Sequence, residues 1–132
     1  MIIGGVLSPR QWERWPEAEA MLEPARKLGD RETVLRDDEA LWVVMDGDDL
    51  LACATARITE HGCEVILIGG RDHRRWVGEL DRVIGSAAAR AGAARMVAMG
   101  RRGWLKSLLQ LGWAKHSEDA DGICIYTREL RD

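Results

Sequence analysis

Residues 40–69, ALWVVMDGDDLLACATARITEHGCEVILIG, constrain this chain more than any other stretch. Three runs rich in β-forming residues are separated by two short turns. DGDD (46–49) supplies a hairpin turn in which Gly47 tolerates positive φ. His61-Gly62 supplies the second. Within residues 50–60, Thr55, Arg57 and Thr59 alternate with Ala54, Ala56 and Ile58, the period of a strand with unlike faces. The third run, CEVILIG, is apolar almost throughout, as suits a central strand covered on both sides. Three strands joined by two tight turns form an antiparallel meander.

Beyond residue 69 the period changes. Trp76, Leu80, Val83, Ile84, Ala87 and Ala91 recur at helical spacing and predict a long amphipathic helix. Asp72 or His73 is placed to cap its start, and Gly92 to end it. ARMVAMG (94–100) predicts a strand and GWLKSLLQL (103–111) a short helix stopped at Gly112. WAKHSED (113–119) is a weak strand, followed by the DADG turn and a last strand, ICIYTREL (123–130). Ahead of the meander, MIIGGV (1–6) predicts a short strand. Residues 9–28, punctuated by Pro9, Pro16 and Pro24, predict one or two short helices, with Leu22, Ala25, Arg26 and Leu28 near one face. The fold class is therefore α/β (α+β): one domain over 1–132 with a mixed central sheet, in the order helix-β-β-β-α-β-α-β-β. The unit at 63–100 is expected to be a right-handed parallel crossover, and the rest of the sheet antiparallel.

The composition, 46% hydrophobic and 31% charged, is that of an ordinary globular domain. A net charge of −3 gives no basic footprint for non-specific nucleic-acid binding. No apolar run approaches the ~20 residues of a membrane span. The start, MIIGGVLSPR, lacks the basic and apolar regions of a signal peptide, so the expected location is cytoplasmic (or virion-associated). Cys53, Cys63 and Cys124 lie in apolar runs with no CxxC or metal spacing, which predicts buried thiols and no metal site. With six Trp, one Tyr and no Phe, tryptophan must carry the aromatic packing.

The chemistry concentrates in GGRDHRRWVGEL (69–80), a turn between strand and helix. Backbone amides and a helix N-terminus at such a turn can hold a phosphate. Gly70, Arg71, Arg74, Arg75 and Trp76 are the candidates there. Arg74 and Arg75 in a first helical turn oppose the helix dipole, and a bound anion would relieve that repulsion. His73 beside Asp72 reads as a capping position, His61 as a solvated turn residue, and His116 with Glu118 as a surface pair. Tyr126 alternates away from Ile125 and is placed to reach a partner or a neighbouring chain.

This order resembles that of the GNAT superfamily, the Gcn5-related N-acetyltransferases, over about residues 40–130. The helical segment before it also fits. The most specific local likeness is RRGWLKSLLQLGW (101–113), whose terminal LGW matches the family's L-G-F/Y signature. The resemblance implies acetyl-CoA as cofactor and an amine of unknown identity as acceptor. It implies that the pyrophosphate lies on the turn after the third strand. The thioester carbonyl would lie against the backbone of Ile66, Leu67 and Ile68. Glu64, on the strand where family members often place a carboxylate, is the implied base for the attacking ammonium. The sequence also departs from the family pattern. No register from Arg74 or Arg75 gives the family's G-x-G/A: the positions are Val77 and Glu79, or Gly78 and Leu80. The usual tyrosine acid is Leu108 and the usual Asn is Arg101. GRRGWLK (100–106) is similar to short GNAT-like virion proteins of tailed phages. Two readings follow. One is an N-acetyltransferase. The other is a catalytically inactive GNAT-like scaffold, a phage or prophage virion-associated or morphogenesis protein whose partners are further copies of itself or other virion chains.

Overall fold

Seven strands form one sheet, with the predicted meander near its centre. The structure, a computed structural model, describes residues 1–130 and all of their side chains but those of Arg101, Arg102 and Leu105. β1 (Ile2–Val6) is followed by a 3₁₀ turn at Pro9–Gln11 and by α1 (Trp15–Leu28). The meander is β2 (Ala40–Asp46), β3 (Asp49–Thr59) and β4 (Gly62–Gly70). Then come α2 (His73–Arg90), β5 (Arg95–Arg101), a 3₁₀ turn at Arg102–Trp104, α3 (Leu105–Gln110), β6 (Ala114–Glu118) and β7 (Ile123–Glu129). The strands lie in the order β1-β2-β3-β4-β5-β7-β6, so β1 and β6 are the edges. Only β4 and β5 run parallel, which matches the expected mixed sheet.

Strand alternation sends side chains into two layers. On one face, Trp76, Leu80, Ile84 and Ala88 of α2 pack with Ala54, Ala56, Val65, Met96, Cys124 and Tyr126. On the other, Ala18 and Leu22 of α1 pack with Leu41, Cys53 and Leu67. Val34 and Leu35, from the segment between α1 and β2, complete this second layer. Arg10 fastens that segment by donating to the Leu35 carbonyl. Of the residues grouped near one face of α1 in the sequence, Leu22 is buried and Leu28 is exposed. α1 approaches β4 through Gly69, where a Cβ would stand 2.2 Å from the Met21 carbonyl oxygen. Only a residue without Cβ allows a helix backbone to rest there.

All three cysteines are free and buried. Burial pushes the Cys53 thiol up to about 12 and the Cys63 thiol up to about 11, because a thiolate is penalised away from water. A thiol reagent at pH 8 is therefore expected to label none of the three in the native protein and all three after denaturation. Rapid native labelling, counted by mass, would contradict this burial.

Candidate functional site

β4 and β5 pair over only three positions: Cys63 with Met96, Glu64 with Val97 and Val65 with Ala98. β4 continues to Gly70 and β5 to Arg101 without further pairing between them. The separation begins where β4 is irregular. Thr55 pairs with Leu67 and Ala56 with Val65, so Ile66 is the extra residue of a β-bulge. A bulge bends its strand and re-aims the following side chains. Ile66 and Leu67 accordingly both pack in the α1 layer, and Ile68 in the α2 layer. The Leu67 amide donates to the buried Thr55 Oγ1 at 3.1 Å. Of the three backbone positions implied for a thioester carbonyl, Leu67 therefore has its N–H in use.

The turn beyond β4 is tightly held. Gly70 has φ 153°, and a Cβ there would meet the Leu51 carbonyl oxygen at 2.4 Å. The Arg71 amide donates to Leu51 O at 3.0 Å. Asp72 occupies the cap position of α2 in the left-handed region, φ 56°, without a side-chain capping bond. The Arg75 amide donates to Asp72 O at 2.9 Å. The amides of His73 and Arg74 find no partner among the described residues, as expected for the first turn of a helix.

The candidate side chains divide into two groups. Trp76 is 1% exposed and turns into the core. Its indole Nε1–H donates to the Arg71 carbonyl at 2.7 Å, so it braces the turn from beneath instead of standing in front of it. Arg75 reaches across to Asp46 at 2.8 Å, at the β2–β3 turn. The hydrogen bond and charge of Arg75 hold the Asp46 carboxyl below its usual range. Arg71 and Arg74 are exposed and make no ion pair with any described residue. The geometry thus separates three similar arginines into one structural cation and two available ones. A cleft of about 570 Å³ opens beside them, between α1 and the end of β4, lined by Glu17, Met21, Pro24, Ile68, Gly70 and Arg71 among others.

On the other side of the opening, the His73 ring meets Trp104 edge to face, with centroids 5.6 Å apart. This contact links the head of α2 to the turn after β5. Trp104 also lies along Gly100, where a Cβ would be 3.3 Å from its ring. The Arg101 side chain, at the usual Asn position, lies outside the described residues. Leu108 is half-buried against the α2 layer. Tyr126 does alternate away from Ile125, but into the core opposite Ala98 at 1% exposure, and so not toward a neighbouring chain.

Glu64 points to the face opposite Cys63 and Val65, one residue before the last β4–β5 pair. Thr59 Oγ1 donates to its Oε2 at 2.6 Å, and Arg57 to its Oε1 at 3.4 Å. Arg57 also contacts Asp38 at 3.4 Å. The carboxylate is thus oriented by two neighbours while 23% of its side chain stays accessible. His116 falls at a register shift of β6, and Glu118 pairs with Lys115 at 2.9 Å instead. His61 is exposed beside Glu60. Among the described residues no cluster of three or more potential metal ligands occurs, and no helix is long and apolar enough to cross a membrane.

Thr55, Asp46 and the cleft residues Glu17 and Met21 were not singled out by the sequence. Thr55 did carry a signal: a hydroxyl between two alanines in a buried strand requires a partner.

Comparison with models of protein families gives no match, and neither does comparison with curated proteins. Solved structures do match. An aminoglycoside 6'-N-acetyltransferase complexed with coenzyme A superposes with a TM-score of 0.77 at 12% identity, covering 100% of this chain and 98% of that one. Tetrahymena GCN5 gives 0.74 at 10% identity, covering 99% and 97%. A Bacillus subtilis acetyltransferase in complex with CoA gives 0.67 at 12% identity, covering 98% of each. The likeness covers nearly the whole of each chain, and on that basis the chain has the fold of the Gcn5-related N-acetyltransferases.

Proposed function

We propose that the protein is an acyl-CoA-dependent N-acyltransferase that moves an acetyl group from acetyl-CoA to an amine. The observation that carries this reading is the opening of β4 from β5 beside the start of α2, where Arg71 and Arg74 have no ion-pair partner among the described residues. The residues suit an anionic cofactor. Arg71, Arg74 and the amides of His73 and Arg74 would hold its pyrophosphate, with Trp76 and Leu51 fixing the turn that presents them. Two of the structural neighbours contain coenzyme A, which supports the choice of cofactor. Acetyl-CoA, when bound, supplies an activated thioester.

The chain supplies the rest. The β4 edge past Val65 offers backbone amides at Ile66 and Ile68 for the oxygen that gains charge, Leu67 being engaged by Thr55. Glu64 removes the proton of the acceptor ammonium, directly or through water, with Thr59 and Arg57 fixing its orientation. Leu108 has no proton to donate, so the thiolate released as the amide forms would take its proton from the attacking nitrogen or from water.

Titration calorimetry tests this. Acetyl-CoA is expected to bind in the micromolar range. Arg71→Ala with Arg74→Ala is expected to weaken binding at least ~100-fold, since hydrogen bonds to charged groups contribute about 1.5–3 kcal/mol each. Arg75→Ala, committed to Asp46, is expected to change it less than threefold. No heat and no thermal shift at millimolar ligand would overturn the reading.

A second reading is a GNAT-like scaffold without catalysis, serving as a phage or prophage virion-associated protein. The His73–Trp104 contact beside the opening and Leu108 at the usual acid position favour it. It predicts the calorimetric blank.

A further inference from the structure

The two edges of the sheet are built differently. β6 carries Lys115, His116 and Glu118 and a register shift between Lys115 and Ser117. Charges and a bulge are the usual devices that stop an edge strand from pairing with another chain. β1 has neither. It pairs with β2 in unbroken register from Ile2 to Val6, and no described strand pairs with its other side. Residues 1–9, MIIGGVLSP, contain no charged side chain. Three large apolar residues stand exposed on it or directly flanking it: Met1 at 52%, Ile2 at 74% and Leu7 at 94%.

We propose that β1 pairs antiparallel with β1 of a second copy about a two-fold axis through Gly4, joining two sheets into one. In that register Gly4 faces the partner's Gly4, and Ile3 faces the partner's Gly5. Ile2 faces the partner's Val6, and Met1 faces the partner's Leu7. Each exposed apolar side chain thereby gains an apolar neighbour. The faces agree as well. Ile3 packs in the α2 layer and Val6 in the α1 layer, so alternation puts Ile2 on the same face as Val6. Residues opposed across an antiparallel pair share a face. No side chain obstructs the axis, since nothing lies within 4 Å of a Cβ placed at Gly4. The net charge of −3 sits elsewhere in each copy, so no like charges are opposed along the strands. A pairing of about seven residues is smaller than the ~1,600 Å² of a standard stable interface, so this dimer dissociates on dilution.

Single cysteines read the register. Residues opposed in an antiparallel pair have Cα atoms about 4.5–5.5 Å apart, within disulfide reach. Under mild oxidation, Gly4→Cys is expected to give a covalent dimer. Ile3→Cys alone and Gly5→Cys alone are expected to give almost none, whereas the two mixed cross-link to each other. The native cysteines are buried and do not compete. By sedimentation, the wild-type mass is expected to rise from 14.8 kDa toward twice that value with concentration. The exposed double variant Ile2→Lys/Leu7→Lys is expected to stay monomeric with an unchanged melting temperature. A monomer at every concentration, equal cross-linking at positions 3, 4 and 5, or a dimer that survives the lysine variant would each overturn the proposal.

Discussion

Trp76→Ala is expected to lower the free energy of unfolding by about 3–5 kcal/mol, the usual cost of deleting a large buried aromatic. Domains of this kind are stable by only about 5–15 kcal/mol, so the variant should unfold well below the wild-type midpoint in urea. The residue is 1% exposed within the α2 layer. Its loss leaves a cavity beneath the first turn of α2 and frees the Arg71 carbonyl it anchors. Trp76→Phe separates these effects. It keeps most of the packing and removes only the indole hydrogen bond, at a cost of about 1 kcal/mol because the Arg71 carbonyl can turn to water. An alanine variant within 1 kcal/mol of wild type would show that the turn is not braced from the core.

Asp81→Ala is expected to cost about 3 kcal/mol, for a different reason. Asp81 Oδ1 accepts from the Trp113 indole at 2.9 Å and from Arg128 Nη2 at 3.2 Å, joining α2 to the start of β6 and to β7. Arg128 also lies 6.0 Å from the Trp113 ring centroid. Removing the side chain takes the acceptor from the buried Trp113 indole and from the Arg128 guanidinium, and buried donors left unsatisfied cost their full desolvation. Asp81→Asn keeps an acceptor for the indole and should cost roughly half as much. Burial raises the Asp81 carboxyl above its usual range, against the pull of Arg128 and Trp113. The folded state therefore takes up this proton before the unfolded chain does, so acidification through the raised pKa adds stability from Asp81. Asp46, held low by Arg75, has the opposite sign: its contribution is present above the usual carboxylate range and is lost as pH falls through the lowered value. Thermal melts against pH resolve the first with Asp81→Asn and the second with Asp46→Asn.

The meander was legible because alternation and turn chemistry are local. DGDD and His61-Gly62 stand where the observed hairpins turn, and β2 has the predicted bounds. The insertion of β7 between β5 and β6 was not legible, because nothing in a strand's own sequence states which neighbour it takes. The bulge at Ile66 was hidden for a related reason: Ile66, Leu67 and Ile68 are all apolar, so a shift of face leaves no trace in the pattern. At the candidate site, the helical period already placed Trp76 on the buried stripe with Leu80 and Ile84. The strand–turn–helix logic pulled it toward the ligand, and the structure shows it in the core. Arg71, Arg74 and Arg75 looked equivalent because their distinction rests on Asp46, 29 residues away from Arg75.

The three-position pairing of β4 with β5 has a mechanical consequence. β1–β4 and β5–β7–β6 are each continuous antiparallel plates, and the backbone ladder between them has three paired positions. α2 lies over that seam, with Val65 from one plate and Met96 from the other in its core layer. Widening the gap at one end therefore leaves every antiparallel ladder intact and works against the seam, the helix above it and the core layer they share. The molecule can yield there, like a book on a short spine, without unfolding either cover.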